Sequence, residues 1–151
     1  MVKVIITAPK GKMNSLILEE AVKCPDIEVV GTIGPKGRDY IGTEICGVKV
    51  YDDLDAVIDK CDLVVDFSGA NIAMDVLDVC LAHNKALLEG STGFTSEMNQ
   101  KIEDASKKIP ILKAANTSFM VNVLMKMLEF AAKNLHTTCD IEIMDIHDRD
   151  K

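Results

Sequence analysis

The chain has 151 residues, with 24 acidic against 17 basic side chains and a formal net charge of −7, which excludes a general nucleic-acid binder because that needs a basic stripe. Apolar residues make up 48% and charged residues 27%, the balance of one soluble globular domain able to bury about 68–70% of its unfolded surface. No apolar run approaches the roughly 18 residues of a membrane span, and the opening MVKVIITAPK lacks the long apolar region of a signal peptide, so no membrane partner and a cytoplasmic location are expected.

The first element is a strand, VKVIIT (2–7), and a helix follows over 12–23 with Met13, Leu16, Ile17 and Ala21 on one face. A second strand, IEVVGTI (27–33), runs into GPKGRDYIGTEICG (34–47), which reads as one long irregular stretch. YDDLDAVIDK (51–60) reads as a short helix, poor in apolar residues and suited to a sheet edge. LVVDF (63–67) is a third strand, followed by a helix over 70–83 whose inner face is Ala73, Val76, Leu77 and Cys80. ALLEG (86–90) is a fourth. The next helix carries Met98, Ile102 and Ala105, with Thr95 as N-cap and Glu97 in the first turn. PILKA (110–114) is a fifth strand. The longest helix, over 118–135, sets Met120, Leu124, Met127, Leu128, Ala131 and Leu135 at helical spacing, as core filler. IEIMDI (141–146) closes the series as a sixth strand. The five cysteines (24, 46, 61, 80 and 139) show no C-x-x-C pairing, which predicts buried free thiols and no metal site.

Most strand segments are apolar on successive residues, as in strands buried on both faces of a parallel sheet. Alternating strands and helices of this length predict a doubly wound parallel α/β sheet, in which ligands bind beyond the C-terminal strand ends. At the first end, Lys10 and Lys12 bracket Gly11 ahead of a helix N-terminus, a setting for phosphate, although Pro9 has no N–H to donate. The alternative there is a plain strand-to-helix turn. At the second end, Gly34, Lys36 and Arg38 stand where an acid would hold ribose hydroxyls. Two cations suit a 2′-phosphate, favouring NADPH over NADH, and a solvated basic turn is the alternative. At the third, Asp66 ends the strand, and Ser68 or Asn71 could cap the next helix. At the fourth, Gly90-Ser91-Thr92-Gly93 offers two hydroxyls between glycines, either a polar platform or a tight turn. Asn116, Thr117 and Ser118 precede the longest helix.

Taken together, these motifs resemble the N-terminal domain of the dihydrodipicolinate reductase (4-hydroxy-tetrahydrodipicolinate reductase) family along essentially the whole chain. The family's G-x-x-G-[RK]-M-G is met by Ala8-Pro9-Lys10-Gly11-Lys12-Met13-Asn14. Its D-F-[ST] is met by Asp66-Phe67-Ser68, and its G-T-T-G-F by Gly90-Ser91-Thr92-Gly93-Phe94. Its A-x-N-[FT]-S is met by Ala114-Ala115-Asn116-Thr117-Ser118, followed by Val121-Asn122. Its I-E-I-x-E-x-H-H-x-x-K aligns with IEIMDIHDRDK, ending at Lys151.

The resemblance implies a Rossmann-like, doubly wound, mostly parallel sheet with helices on both faces, residues 1–151 forming the dinucleotide-binding domain. It implies a reductase of diaminopimelate and lysine biosynthesis that passes hydride from NADPH or NADH to a tetrahydrodipicolinate precursor. Cofactor contacts then fall on Ala8 through Met13, the 34–38 turn, Phe67, Ser68, Gly90, Ser91, Thr92 and Ala114 through Thr117. His147 becomes the candidate general acid, and Lys151 the proton donor and carboxylate partner. A frayed, solvated tail is the alternative for those two.

The departures matter as well. Ala8 and Asn14 replace two of the three fingerprint glycines, which implies a strained turn and a side chain where helix and strand pack closely. Asp148 replaces a second histidine, with Asp150 nearby. At about 4 Å and a dielectric of about 20, one like-charge contact with a dicarboxylate costs roughly 4 kcal/mol. Glu89 stands before the G-S-T-G where the family has an apolar residue. The family's C-terminal substrate domain is absent, so the chain alone is expected to be inactive on the usual substrate, and a partner subunit could supply that domain. Two other readings stay open: a non-catalytic dinucleotide sensor or partner subunit, and an oxidoreductase for an amine or imine drawn by Asp148 and Asp150.

Overall fold

The computed structural model describes residues 1–144 and 146. Seven strands form one sheet: β1 (Val2–Thr7), β2 (Ile27–Ile33), β3 (Glu44–Ile45), β4 (Val48–Tyr51), β5 (Leu63–Asp66), β6 (Ala86–Glu89) and β7 (Ile111–Lys113). Their order is β3-β4-β2-β1-β5-β6-β7, and every neighbouring pair is parallel except the β3–β4 hairpin. Helices α1 (Lys12–Ala21), α2 (Ala70–Ala82) and α3 (Ser96–Ser106) make the parallel connections β1 to β2, β5 to β6 and β6 to β7. The architecture is the expected Rossmann-like one.

Alternation along β1 explains why both faces are covered. Ile5 points to one side, where it packs with Val64, Leu77, Cys80, Leu87 and Ile102 under α2 and α3. Val4 and Ile6 point to the other, with Leu18 and Ala21 of α1. Successive side chains leave a strand on opposite faces, so a run such as VII must bury both. From β1 the chain builds outward through β2 to β4, then crosses back to β5 and builds the other way. That reversal opens a crevice at the C-terminal ends of β1 and β5, beside Thr7 and Asp66.

Several expectations need correction. Residues 34–47 are not wholly irregular: Glu44–Ile45 pairs with Val48–Tyr51 across a two-residue turn, Cys46 and Gly47, both at positive φ (53° and 76°). Such a turn usually announces itself as Asn-Gly, and a cysteine in the left-handed region hides it. Residues 51–60 are not an α-helix either. Tyr51 ends β4 and only Ile58–Lys60 forms a single 3-10 turn. Leu54, Val57 and Ile58 are buried in the main core rather than set at an edge. Asp53 Oδ1 accepts from the Asp55 N–H at 3.1 Å, a local turn that competes with helix. The 70–82 helix is capped by Gly69 at φ 112° with no side-chain cap, so neither Ser68 nor Asn71 plays that part. Thr95 does cap α3, its Oγ1 accepting from Met98 N. Only Cys61 and Cys80 are buried; Cys46 and Cys139 are exposed.

The chain divides into two compact units, Met1–Ala115 and Asn116–Lys151. The sheet belongs to the first. The second contains α4 (Phe119–Leu135), capped by Ser118, whose Oγ accepts from Val121 N at 3.4 Å. No residue of α4 is buried, and Met120 and Met127 are 74% and 64% exposed, against the expected core role. Helical spacing reports that a stripe is apolar, not that this unit holds anything to bury it against. Among the described residues of 141–146 no strand forms. A strand exists only by pairing, and among the described residues of its own unit there is no other strand to pair with. Among the described residues no helix is long and apolar enough to cross a membrane, and no group of three His, Cys, Asp or Glu is placed to hold a metal ion.

Leu77 is fully buried, so Leu77→Ala is expected to destabilise the fold by about 2–5 kcal/mol in a denaturant titration. Met127→Ala on α4 is expected to change stability by no more than about 0.5 kcal/mol. A large loss from Met127→Ala would show that the α4 stripe is part of a core.

Candidate functional site

The β1–α1 turn is tightly folded. Ala8 N–H reaches Ile33 O on β2 at 2.7 Å, and Gly11 N–H turns back to Ala8 O at 2.8 Å. Closing this turn puts Ala8 at φ 43°, a left-handed conformation that costs a non-glycine residue roughly 1–2 kcal/mol. The strain expected from the first missing glycine is therefore real. A Cβ at Gly11 would stand 3.1 Å from Ala8 O, so the remaining glycine is held to its identity by the same turn. Gly11 is also the N-cap of α1, with no side-chain cap and no acid in the first turn. The first N–H groups of α1 are thus free to meet an anion. The second replacement behaves as expected too. Asn14 is fully buried and neither amide atom finds a partner, an arrangement that costs about 1–3 kcal/mol.

Two clefts border this turn. One, of about 360 Å³, is lined by Ala8, Lys10, Gly11, Pro35, Arg38, Asp39 and Tyr40. Lys10 Nζ lies 4.3 Å from the centre of the Tyr40 ring. The other, of about 320 Å³, brings Thr7, Ala8, Gly34, Lys36 and Ser68 together at the crevice between β1 and β5. A Cβ at Gly34 would come within 2.8 Å of the Tyr40 ring and 2.9 Å of the Ile41 side chain, both of which would have to shift. Four carboxylates that the sequence reading left out, Asp52, Asp53, Asp55 and Asp75, line this second cleft with Lys36. His83 steadies their loop, contacting Asp55 at 3.0 Å and Asp59 at 3.3 Å, and these bonds raise its pKa. Lys12 and Met13 line neither cleft; their side chains are exposed on the outside of α1.

Past β5, the Phe67 ring lies against Gly90 so closely that a Cβ there would come within 2.0 Å of it. Glycine at 90 is thus required by the ring of the D-F-S motif, a coupling between two motifs 23 positions apart in the chain. Ser91 is buried, whereas Thr92 is exposed. Ser68 lines the crevice, while its Oγ is buried and has no partner among the described residues. Ala114 N–H extends the β6–β7 ladder to Glu89 O at 2.9 Å, and Ala115 ends the first unit. Asn116 and Thr117 belong to the second unit, where Asn116 Oδ1 accepts from Ser118 N at 2.8 Å. His147 and Lys151, like Asp148 and Asp150, lie outside the described residues.

Beneath these loops is a polar network. Asp66 is fully buried and takes hydrogen bonds from Thr7 Oγ1 and, at 3.1 Å, from Ser91 Oγ. Ser91 Oγ in turn accepts from Gly69 N at 3.0 Å, and Ser91 N donates to Glu89 Oε1 at 2.7 Å. Glu89 is 1% exposed and stands in register with Asp66 across β5 and β6. Burial, followed by the negative charge of Asp66, raises its carboxyl to about 7. The sequence offered one signal of this, an acid where the family has an apolar residue, but not the register that sets the two acids side by side.

Gly90→Ala is expected to destabilise the protein by roughly 1–3 kcal/mol, because the ring of Phe67 must move. Pairing it with Phe67→Ala in a double-mutant cycle should recover much of that loss; strict additivity would contradict the ring contact.

The family model described as dihydrodipicolinate reductase, N-terminus, matches residues 2–117. The chain is 35% identical over 156 aligned positions to a 4-hydroxy-tetrahydrodipicolinate reductase of Burkholderia orbicola (strain MC0-3), covering 99% of this chain and 59% of the relative. It is 32% identical over 157 positions to the enzyme of that name from Citrifermentans bemidjiense, with the same coverage. The chain therefore spans about three-fifths of the length of these curated relatives. A dipicolinate-bound dihydrodipicolinate reductase from Paenisporosarcina sp. TG-14 shares the fold at a TM-score of 0.75 and 24% identity, over 87% of this chain and 54% of that one. A biliverdin reductase from Synechocystis, in complex with biliverdin and NADP+, does so at 0.68 and 16%, over 92% and 44%. With most of its length matched, the chain belongs to the dihydrodipicolinate reductase family, as a dinucleotide-binding domain of its N-terminal type.

Proposed function

We propose that this chain binds a reduced nicotinamide dinucleotide as the cofactor domain of a 4-hydroxy-tetrahydrodipicolinate reductase. The observation that carries the reading is the crevice at the strand-order reversal, where Ala8, Gly34, Lys36 and Ser68 border one cleft beside the uncapped start of α1. Residues and group fit: Gly11 opens α1 with no side-chain cap and no acid in its first turn, and Gly34 and Lys36 stand on the cleft wall. Ala8 through Met13 would hold the pyrophosphate, with Lys10 the one lysine of that segment on a cleft wall. Gly34, Lys36 and Arg38 would hold the adenosine end. Phe67, Ser68, Gly90, Ser91, Thr92 and Ala114 through Thr117 would hold the nicotinamide end. When bound, the cofactor supplies hydride.

The protein's own work is placement and proton handling. The α1 N-terminus favours negative phosphate through its free N–H groups. His147 is the proposed general acid, a role that suits an imidazole side chain. Lys151 is the proposed partner of a substrate carboxylate. Residues 1–151 alone are proposed to bind cofactor without turning over the dicarboxylate, a partner or further domain supplying substrate contacts; measurable turnover by this chain alone would contradict that.

NADPH is favoured through Arg38, which shares its cleft with Lys10. The second reading is NADH, supported by Asp52 and Asp53 in the neighbouring cleft, since carboxylates suit ribose hydroxyls and repel a 2′-phosphate. Calorimetric titration of both cofactors separates the two. Arg38→Ala is expected to weaken NADPH about tenfold or more while leaving NADH within about twofold. Equal losses would point to NADH, and no binding of either at millimolar concentration would remove the cofactor reading altogether.

A further inference from the structure

We propose that Asp66 and Glu89 hold a single proton between them at neutral pH and act as a positioning pair, fixing the Gly90–Gly93 loop and the start of α2 through Ser91. The geometry is specific. The two acids face each other in register at the ends of β5 and β6, both within 1% of complete burial. Asp66 takes two hydroxyl donors, one on each oxygen, which is the pattern of an ionised carboxylate. Glu89 Oε1 takes the Ser91 N–H, while Oε2 finds no donor among its neighbours. A proton on Oε2, given in a hydrogen bond to the Asp66 carboxylate, completes both groups. Two buried carboxylates this close do not both ionise readily.

Among the described residues, none packed around the pair supplies a compensating cation. Thr7 on β1 and Ser91 after β6 are neutral. On the α2 side, Cys80 is pushed up to about 12 by burial and stays a thiol, and Cys61 is raised in the same direction. Lys113 on β7 is the register partner of Glu89, but its ammonium turns to Asn99 Oδ1 and lies 4.8 Å from the centre of the Phe94 ring. Ser91 is bonded to both acids and to Gly69 N, so a second negative charge drives apart the two groups that hold it. Loop position, and with it affinity for an anionic dinucleotide, then depends on the shared proton. Only this last step rests on the cofactor reading.

The sign follows from the direction of the shift. A carboxyl raised in the folded state contributes stability that is fully present below its unfolded value of about 4.5 and is lost as pH rises through about 7. The test is carboxyl-carbon NMR of the whole chain across that range, with amide exchange at Ser91 and Gly69 and the NADPH dissociation constant measured alongside. The expected result is one carboxyl of the pair titrating near neutrality, with exchange accelerating and affinity falling by up to about tenfold per pH unit above it. Glu89→Gln, which keeps a neutral donor and an acceptor in place, should retain the tight loop and flatten both profiles. Should that variant not fold, Glu89→Leu should equally flatten the pH dependence of stability. Two ionised carboxylates throughout, or an unchanged profile in the variants, would overturn the proposal. If NADPH fails to bind at any pH, the cofactor reading falls, while the carbon shifts and exchange rates still decide the pair.

Discussion

The Asp66 carboxylate ties together three consecutive strand ends. Thr7 reaches it from β1, Ser91 from the loop after β6, and Asp66 itself closes β5 between them. Because these strands are parallel and adjacent, their C-terminal ends open on the same edge of the sheet, and a single buried carboxyl group can be served by all three. The loops that leave those ends inherit its position. The Gly90–Gly93 loop is held through Ser91, the start of α2 through Gly69, and the β1–α1 turn begins one residue after Thr7. Phe67, the residue after Asp66, then fills the space that Gly90 leaves open.

The β1–α1 turn closes without two of the family's three glycines through its own backbone bonds. Ala8 is strained and Asn14 is buried without partners, yet the turn closes through Ala8 N–H to Ile33 O and Gly11 N–H to Ala8 O. The turn keeps a hydrogen-bonded backbone path with both side chains in place. A site made of backbone N–H groups depends on that path more than on the residues along it. The losses fall on stability, at two positions where the chain tolerates a non-ideal residue, while Gly11 and Gly34, whose Cβ atoms would meet backbone or ring, are retained.

Much of the fold was legible because parallel strands buried on both faces leave runs such as VII and LVV, and because Thr95 and the 70–82 stripe signal helices locally. What escaped was non-local or disguised. Cys46-Gly47 forms a turn usually written with asparagine, which hid β3 and β4. Leu54, Val57 and Ile58 have helical spacing but are delivered to the core by turns. The α4 stripe is amphipathic with no buried residue, and among the described residues of 141–146 no strand forms. At the site, the motif residues Ala8, Gly34, Ser68 and Gly90 were readable from their order along the chain. The aspartates of the 52–55 loop and the Asp66–Glu89 pairing were not, because strand order and register alone bring them into place.

The most direct test of the account is a map of backbone amide shifts on adding NADPH. Binding at the carboxyl edge predicts perturbations grouped at Ala8 through Met13, Gly34 through Arg38, Ser68 and Gly69, and Gly90 through Thr92. The opposite edge of the sheet, at Asp26, Asp62 and Lys85, should be unmoved. Shifts centred on that opposite edge, or none at saturating cofactor, would contradict the account.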